Sequence, residues 1–259
     1  MKKLLKIATV MLLMPLVARA ELSAEAVLNE VYDAYDKKHQ CWLTKDKEEQ
    51  RYCMKLDHSA KIDTATGQRL YVLAAGDWID EQGENTAGHA NSGLIGAFIV
   101  EEQQGKPVIL HSNAQIPMGS TGSAPTGWAF VKLGADDYWG WQNTTGWTGQ
   151  GYIFGYYAIL APYGKSIRNL IPNDFMQDYD DRGACSDDET TCAQKTTQIE
   201  SALAFDTTQA NANIFPLQLT VTGIDKGKPL QPKTWTIPFD SKKWSYPMPA
   251  NWILKDRDQ

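Results

Sequence analysis

Short apolar runs, each closed by a turn of glycine, asparagine, aspartate or proline, recur along most of this chain and leave room for little besides antiparallel sheet. Residues 69–75 end at Gly76. Residues 94–100 face 108–111 across a Gln-Gly-Lys-Pro turn, and 128–133 face 138–142 across Gly134, Ala135, Asp136 and Asp137. Residues 152–160 lead into the turn Pro162-Tyr163-Gly164 and on to 165–171. Residues 217–221 pair naturally with 234–239 across a turn bounded by Gly223 and Gly227. Strands with turn signals every 8–12 residues or so point to a sandwich or barrel rather than to alternating βα units. The predicted fold class is mainly β, with antiparallel sheets in a sandwich or barrel-like arrangement, an N-terminal helix and one further helix; α+β is the second choice.

The first helix is expected over 23–40, where Leu28, Val31, Tyr32 and Tyr35 recur at helical spacing behind a Ser23 cap. The second is expected between 188 and 205. The charged stretch between Cys41 and Cys53 reads as a loop, so 21–60 forms a helix-plus-loop appendage to a single domain over 21–259. There is no linker, internal repeat or low-complexity run.

The first twenty residues have the three zones of a cleavable secretory signal. Lys2, Lys3 and Lys6 precede a twelve-residue apolar run over 7–18, and Ala18-Arg19-Ala20 fits the peptidase site. A membrane-spanning helix needs about 20 apolar residues, so no anchor is expected after cleavage. The style of the signal suggests a periplasmic protein, with secretion further out as the alternative. In an oxidising compartment four cysteines read as two disulfides. Short loops close more readily, which favours Cys41 with Cys53 and Cys185 with Cys192. The C-x-x-C spacings of a zinc site are absent. Cleavage removes four cations and no acid, leaving 21 Lys+Arg against 31 Asp+Glu, a balance of −10. Such a surface disfavours nucleic acid and anionic lipid as partners.

Motifs for zinc hydrolysis, phosphate cradling, dinucleotide binding and the serine elbow are all missing. Disulfide-bonded cysteines supply no thiol nucleophile. His39 and His58 read as solvated, and His111 ends a strand. The long glycine-rich connection over 76–93 carries Asp77, Asp80, Glu84 and His89, the weak candidates for acid–base chemistry. Asp178, Asp180 and Glu189 stand at positions 1, 3 and 12 of an EF-hand-like spacing, with Gly183 at position 6, so calcium is the one cofactor the sequence allows for. Arg182 at position 5 places a cation where a ligand belongs.

The strongest feature is aromatic. Nine tryptophans and tyrosines crowd into residues 128–163, among them Trp128, Tyr138, Trp139, Trp141 and Trp147. Trp139 and Trp141 share a face on a strand. Residues 143–146 read as a turn with Trp147 heading the returning strand, and Gly149-Gln150-Gly151 as a bend. The rings either fill a core or form an exposed platform for a sugar, a peptidoglycan stem or a partner protein. The tail from Trp244 to Trp252 is expected to cover a sheet edge. The function this favours is a non-catalytic exported protein that recognises an envelope protein or a glycan. The rival is a glycan-cleaving enzyme using Asp77, Asp80 and Glu84, and a small-ligand carrier is the third reading.

Overall fold

The computed structural model describes residues 22–104, 106–173, 175–209, 211–255 and 257. The predicted signal segment lies outside them. The predicted fold class holds: among the described residues fifteen strands hydrogen-bond into one continuous, almost wholly antiparallel sheet that folds back on itself, with two short α-helices.

The first helix, α1 (Ala24–Val31), is half as long as the helical spacing suggests. Ser23 caps it, its hydroxyl accepting from the Ala26 amide at 3.2 Å. It stops at Tyr32 because the next residues are claimed by the sheet. The Asp33 amide donates to the Leu43 carbonyl at 3.1 Å, and β1 (Ala34–Asp36) pairs with β2 (Cys41–Lys45). The stretch read as a charged loop is therefore the start of a meander. β2 pairs with β3 (Arg51–Thr64), β3 with β4 (Gly67–Ile79), β4 with β5 (Gly93–Gln103) and β5 with β6 (Lys106–Met118). A Cys41–Cys53 disulfide closes β2 onto β3, and Cys185–Cys192 is the second bridge, both as predicted. Two disulfides point to an oxidising compartment. No helix among the described residues is long and apolar enough to cross a membrane.

β3 bulges at Asp57, where the register steps from Leu56 directly to His58. The bulge turns the Asp57 carboxylate toward a distant loop, where it accepts from the amides of Gly127 (2.7 Å) and Trp128 (3.0 Å). His58 is not solvated as expected: its ring stacks on Phe130 at 5.8 Å and its Nε2 is buried. His39 instead pairs with Asp36 at 2.7 Å.

One face of β3–β5, with Met54, Val72, Leu94 and Phe98, buries against Leu28 and Tyr32 of the α1 segment. Gly96 makes this approach feasible, since a Cβ there would strike the Tyr32 hydroxyl. The other face, with Tyr71, Leu73, Ile95 and Ile99, packs on a second layer: β7 (Ala129–Lys132), β8 (Trp139–Gly149) and β9 (Tyr152–Tyr163). β10 (Ser166–Asn169) makes the corner, antiparallel to β9 and touching β6 in parallel. The far face of β9 then meets a third region. This comprises β11 (Asp178–Asp180), β12 (Gln198–Phe205), β13 (Leu217–Asp225), β14 (Lys228–Pro229), β15 (Lys233–Ile237) and the tail. Helix α2 (Glu189–Lys195) is only seven residues, and the second half of the predicted helix is β12. The tail does more than cover an edge. Tyr246 and Trp252 are buried, donating to the carbonyls of Phe215 (2.8 Å) and Met176 (2.7 Å).

Candidate functional site

The predicted aromatic platform splits in two along a single strand. β8 runs unbroken through residues 143–146, so the turn expected there does not exist. The chain reverses instead at Gln150 and Gly151, with φ of 52° and 83°, the left-handed pair that a two-residue hairpin turn requires. Trp141 and Trp147 are six residues apart and, by the period of two, share a face. Their surroundings differ completely. Trp141 is fully buried, 5.8 Å from the Tyr71 ring. Trp147 lies beyond the covering layer and is 36% exposed. Its ring rests on Phe154 at 5.3 Å and over Gly149, where a Cβ would collide with it.

The other three predicted ring residues belong to the body of the protein. Trp128 is buried, its indole donating to the Pro125 carbonyl at 2.9 Å. Half-buried Trp139 stacks on Phe130 at 5.1 Å. Tyr138 donates to the Pro162 carbonyl at 2.7 Å, and burial pushes its phenol up to about 12. Trp128 and Trp141 therefore serve the core and not a platform. Of these five residues, Trp147 is the exposed one.

Trp147 and Tyr156 form one wall of a cavity of about 250 Å³, faced by Pro117 and Met118. Ser92, Thr145 and Asn173 supply hydroxyls and an amide to it. At Ser92 and Pro117 it adjoins a larger hollow of about 590 Å³. There Tyr52 and Trp78, direct cross-strand partners on β3 and β4, hold their rings 6.3 Å apart. The two together make a cleft with aromatic rings at each end. Its floor is pinned by loop contacts: the Trp78 amide donates to the Gly122 carbonyl (2.7 Å), and the Gly122 amide to the Asn91 carbonyl (2.8 Å). Asp46, at the larger hollow, caps its own turn through the amides of Glu48 (2.8 Å) and Gln50 (3.0 Å). Burial, with Asp46 beside it, pushes the Tyr52 phenol up to about 12, so that hydroxyl stays a donor at neutral pH.

The described residues lining the Trp147 end carry no carboxylate, imidazole or cationic side chain. Asp77, Asp80, Glu84 and His89 are absent from the lining of either hollow. Asp77 is exposed on β4 opposite Cys53. Asp80 closes a turn, accepting from the amides of Gln82 (2.9 Å) and Glu84 (3.0 Å). Glu84 and His89 are exposed on the same loop.

The calcium spacing is not gathered into a cage. Asp178 accepts from the Ser201 amide (2.6 Å) and hydroxyl (3.0 Å), and burial raises its pKa against those bonds. Asp180 is clasped by the Arg182 guanidinium at 2.6–3.1 Å, which lowers its pKa. Glu189 sits in the first turn of α2 behind the Asp188 cap. Among the described residues no group of three or more His, Cys, Asp or Glu side chains is placed to hold a metal ion.

Sequence reasoning singled out Trp147 but not Tyr52 and Trp78, which line the adjoining hollow. The signal was there in principle: counting back along both strands from the Thr64–Gly67 turn sets them opposite each other, once the bulge at Asp57 is allowed for. Compared with protein-family models, curated proteins and solved structures, the chain finds no match in any of the three, and the geometry of the cleft has to carry the functional reading.

Proposed function

We propose that this is an exported, periplasmic binding protein without chemistry of its own, and that the cleft from Trp147 to Trp78 seats a neutral glycan segment of the cell envelope. The observation that carries the reading is the exposed Trp147 ring on a wall whose other groups are uncharged hydroxyls, amides and apolar side chains. A sugar presents an apolar ring face to stack on an indole and hydroxyls to meet Ser92, Thr145 and Asn173. Aromatic side chains give large contact area with little lost rotamer freedom. Two adjoining hollows with rings at each end suit an extended chain better than a single small molecule. Acid–base cleavage needs paired carboxylates about 5–10 Å apart on either side of the bond; the Trp147 end offers none among its described residues, and of the two at the other end, Asp46 and Glu48, Asp46 is engaged in capping its own turn.

The test is retention of the mature, oxidised protein on insoluble peptidoglycan and on a neutral polysaccharide, beside Trp147→Ala. Retention of the parent and its loss in a variant that still unfolds cooperatively, with its melting temperature lowered by no more than a few degrees, supports the reading. Equal retention of both, or capture of a stoichiometric protein partner with no glycan binding, overturns it. Turnover of the glycan would restore the enzymatic rival.

A further inference from the structure

A second cavity lies apart from the cleft, shares no lining residue with it, and has charged walls of both signs. It encloses about 270 Å³ between the two sheet layers and the tail. Arg69 and Tyr71 of β4 and His111 of β6 form one side, and Asp136 and Asp137, from the β7–β8 turn, form another. Arg69 is held from behind. Its Nη2 donates to the Thr66 hydroxyl at 3.3 Å, and its Nε lies 3.9 Å from the buried Glu101 carboxylate. Glu101 in turn accepts from Thr66 at 2.6 Å. Among the described residues no ion pair joins Arg69 to Asp136 or Asp137, although all three line the same space. His111 contributes an acceptor. Its Nδ1 meets the Gly164 carbonyl at 2.7 Å and so carries the proton, leaving Nε2 with the lone pair. Burial lowers its pKa, and Arg69 adds to this against the pull of the Gly164 bond, so the imidazole is neutral at neutral pH.

The backbone is strained at this same place. Asp136, Asp137 and Trp244 have φ of 51°, 57° and 55°, and all three border the cavity. For a residue as bulky as tryptophan that conformation is an outlier, and such strain concentrates at ligand clamps and active sites. Tyr138 and Trp244 are also shared with an adjoining hollow of about 390 Å³, whose far side is Ile214 and Phe239 with Asn211 and Asn213 beside them. The Tyr138 and Trp244 rings thus stand between a charged chamber and one whose walls are Ile214 and Phe239 with the polar Asn211, Asn213 and Ser241. Each chamber lies near the lower end of the roughly 300–1,000 Å³ usual for ligand pockets, a size for small molecules.

We propose that the paired cavities bind a small zwitterion, an α-amino acid with an apolar side chain. Its carboxylate lies against Arg69, its ammonium against Asp136 and Asp137, and its side chain passes Tyr138 and Trp244 to reach Phe239. A plain anion would face two carboxylates, and a plain cation would face the guanidinium. Only a ligand carrying both signs a few bonds apart satisfies both walls. The site is separate from the cleft, and its test does not depend on glycan binding.

The experiment is titration calorimetry on the mature protein with leucine and phenylalanine. Alongside them go two truncated leucines: 3-methylbutylamine, without the carboxylate, and 4-methylpentanoate, without the amine. The protein variant is Asp136→Asn combined with Asp137→Asn, chosen because asparagine tolerates the left-handed backbone there. The expected result is binding of at least one amino acid, with each truncated leucine at least about tenfold weaker than leucine. The double variant, with an unchanged melting temperature, should lose about tenfold for the amino acid and nothing for 4-methylpentanoate. Trp147→Ala should leave amino-acid binding intact, which separates this site from the cleft. No heat with either amino acid up to about 10 mM, truncated ligands as tight as leucine, or a double variant that binds the amino acid as well as the parent would each overturn the proposal.

Discussion

The two ends of the β8–β9 hairpin have similar composition and opposite fates. At the root, Trp141 pairs across from Leu160, and both are fully buried between layers. At the tip, Trp147 pairs across from Phe154 and Thr148 from Ile153, and both Trp147 and Ile153 are exposed. Strand propensity and alternation are the same at both ends. What differs is whether another layer lies above the ring. The root is covered by β4 and β5, which contribute Tyr71, Leu73 and Ile95, and the tip extends past them. An aromatic strand thus becomes core or binding surface according to how far it outreaches its neighbour.

Four substitutions test that difference, the largest effect first. Trp141→Ala should cost about 3–5 kcal/mol in denaturant unfolding, because it empties a fully enclosed site. If it melts like the parent while glycan retention vanishes, the root and the tip have been assigned the wrong way round. Asp57→Ala should cost about 1–3 kcal/mol, since it strands the Gly127 and Trp128 amides beside the root. Thermal unfolding would show it, with the disulfides intact. Trp147→Ala should cost only about 0.5–1.5 kcal/mol, the worth of its contact with Phe154, yet abolish retention on glycan. Ile153→Ser, on the other face of the same tip, should stay within about 0.5 kcal/mol in stability and leave retention untouched. A loss of retention there would move the binding surface to the opposite face.

A smaller effect separates charge from shape where β11 crosses the hairpin. Asp178 lies against Gly155, and burial raises its carboxyl pKa despite two hydrogen bonds from Ser201. A raised native pKa means that the folded state holds the proton better than the unfolded chain does. The ionised carboxylate therefore detracts from stability at neutral pH, and that deficit fades as the pH falls through the ordinary carboxylate range. Asp178→Asn keeps an acceptor for Ser201, so it should raise the melting temperature slightly at neutral pH and not at all in acid. A lowered melting temperature at both would show that the Ser201 bonds need the charge.

The sheet was legible wherever apolar runs were closed by turn residues, and it was lost wherever a strand lacked that punctuation. β3 alternates well enough through Met54 and Leu56, but the bulge at Asp57 breaks the period and moves the rest of the strand to the other phase. β12 reads as helix because Glu200, Ala202, Leu203 and Ala204 are good helix formers. Pairing with β13 along its whole length overrode that preference. Residues 143–146 look like a turn, but their partners Tyr156, Tyr157 and Ala158 hold them straight. Trp147 was visible as a residue, whereas its exposure depends on where β4 and β5 end. The charged cavity was out of reach altogether, since Arg69, His111, Asp137 and Trp244 come from four separate parts of the chain.

β9 buries side chains on both of its faces. Ala158 and Leu160 fill one core, and Tyr157, Ile159 and Ala161 fill the next. Whenever the chain is delivered N-terminus first, the six-strand meander ending at Met118 appears with Tyr71, Leu73, Ile95 and Ile99 bare, and stays so until about forty further residues have emerged. For that interval the newborn protein displays a wide oily wall. Its yield in a cell should then depend as much on what shelters that wall in transit as on the stability of the finished molecule.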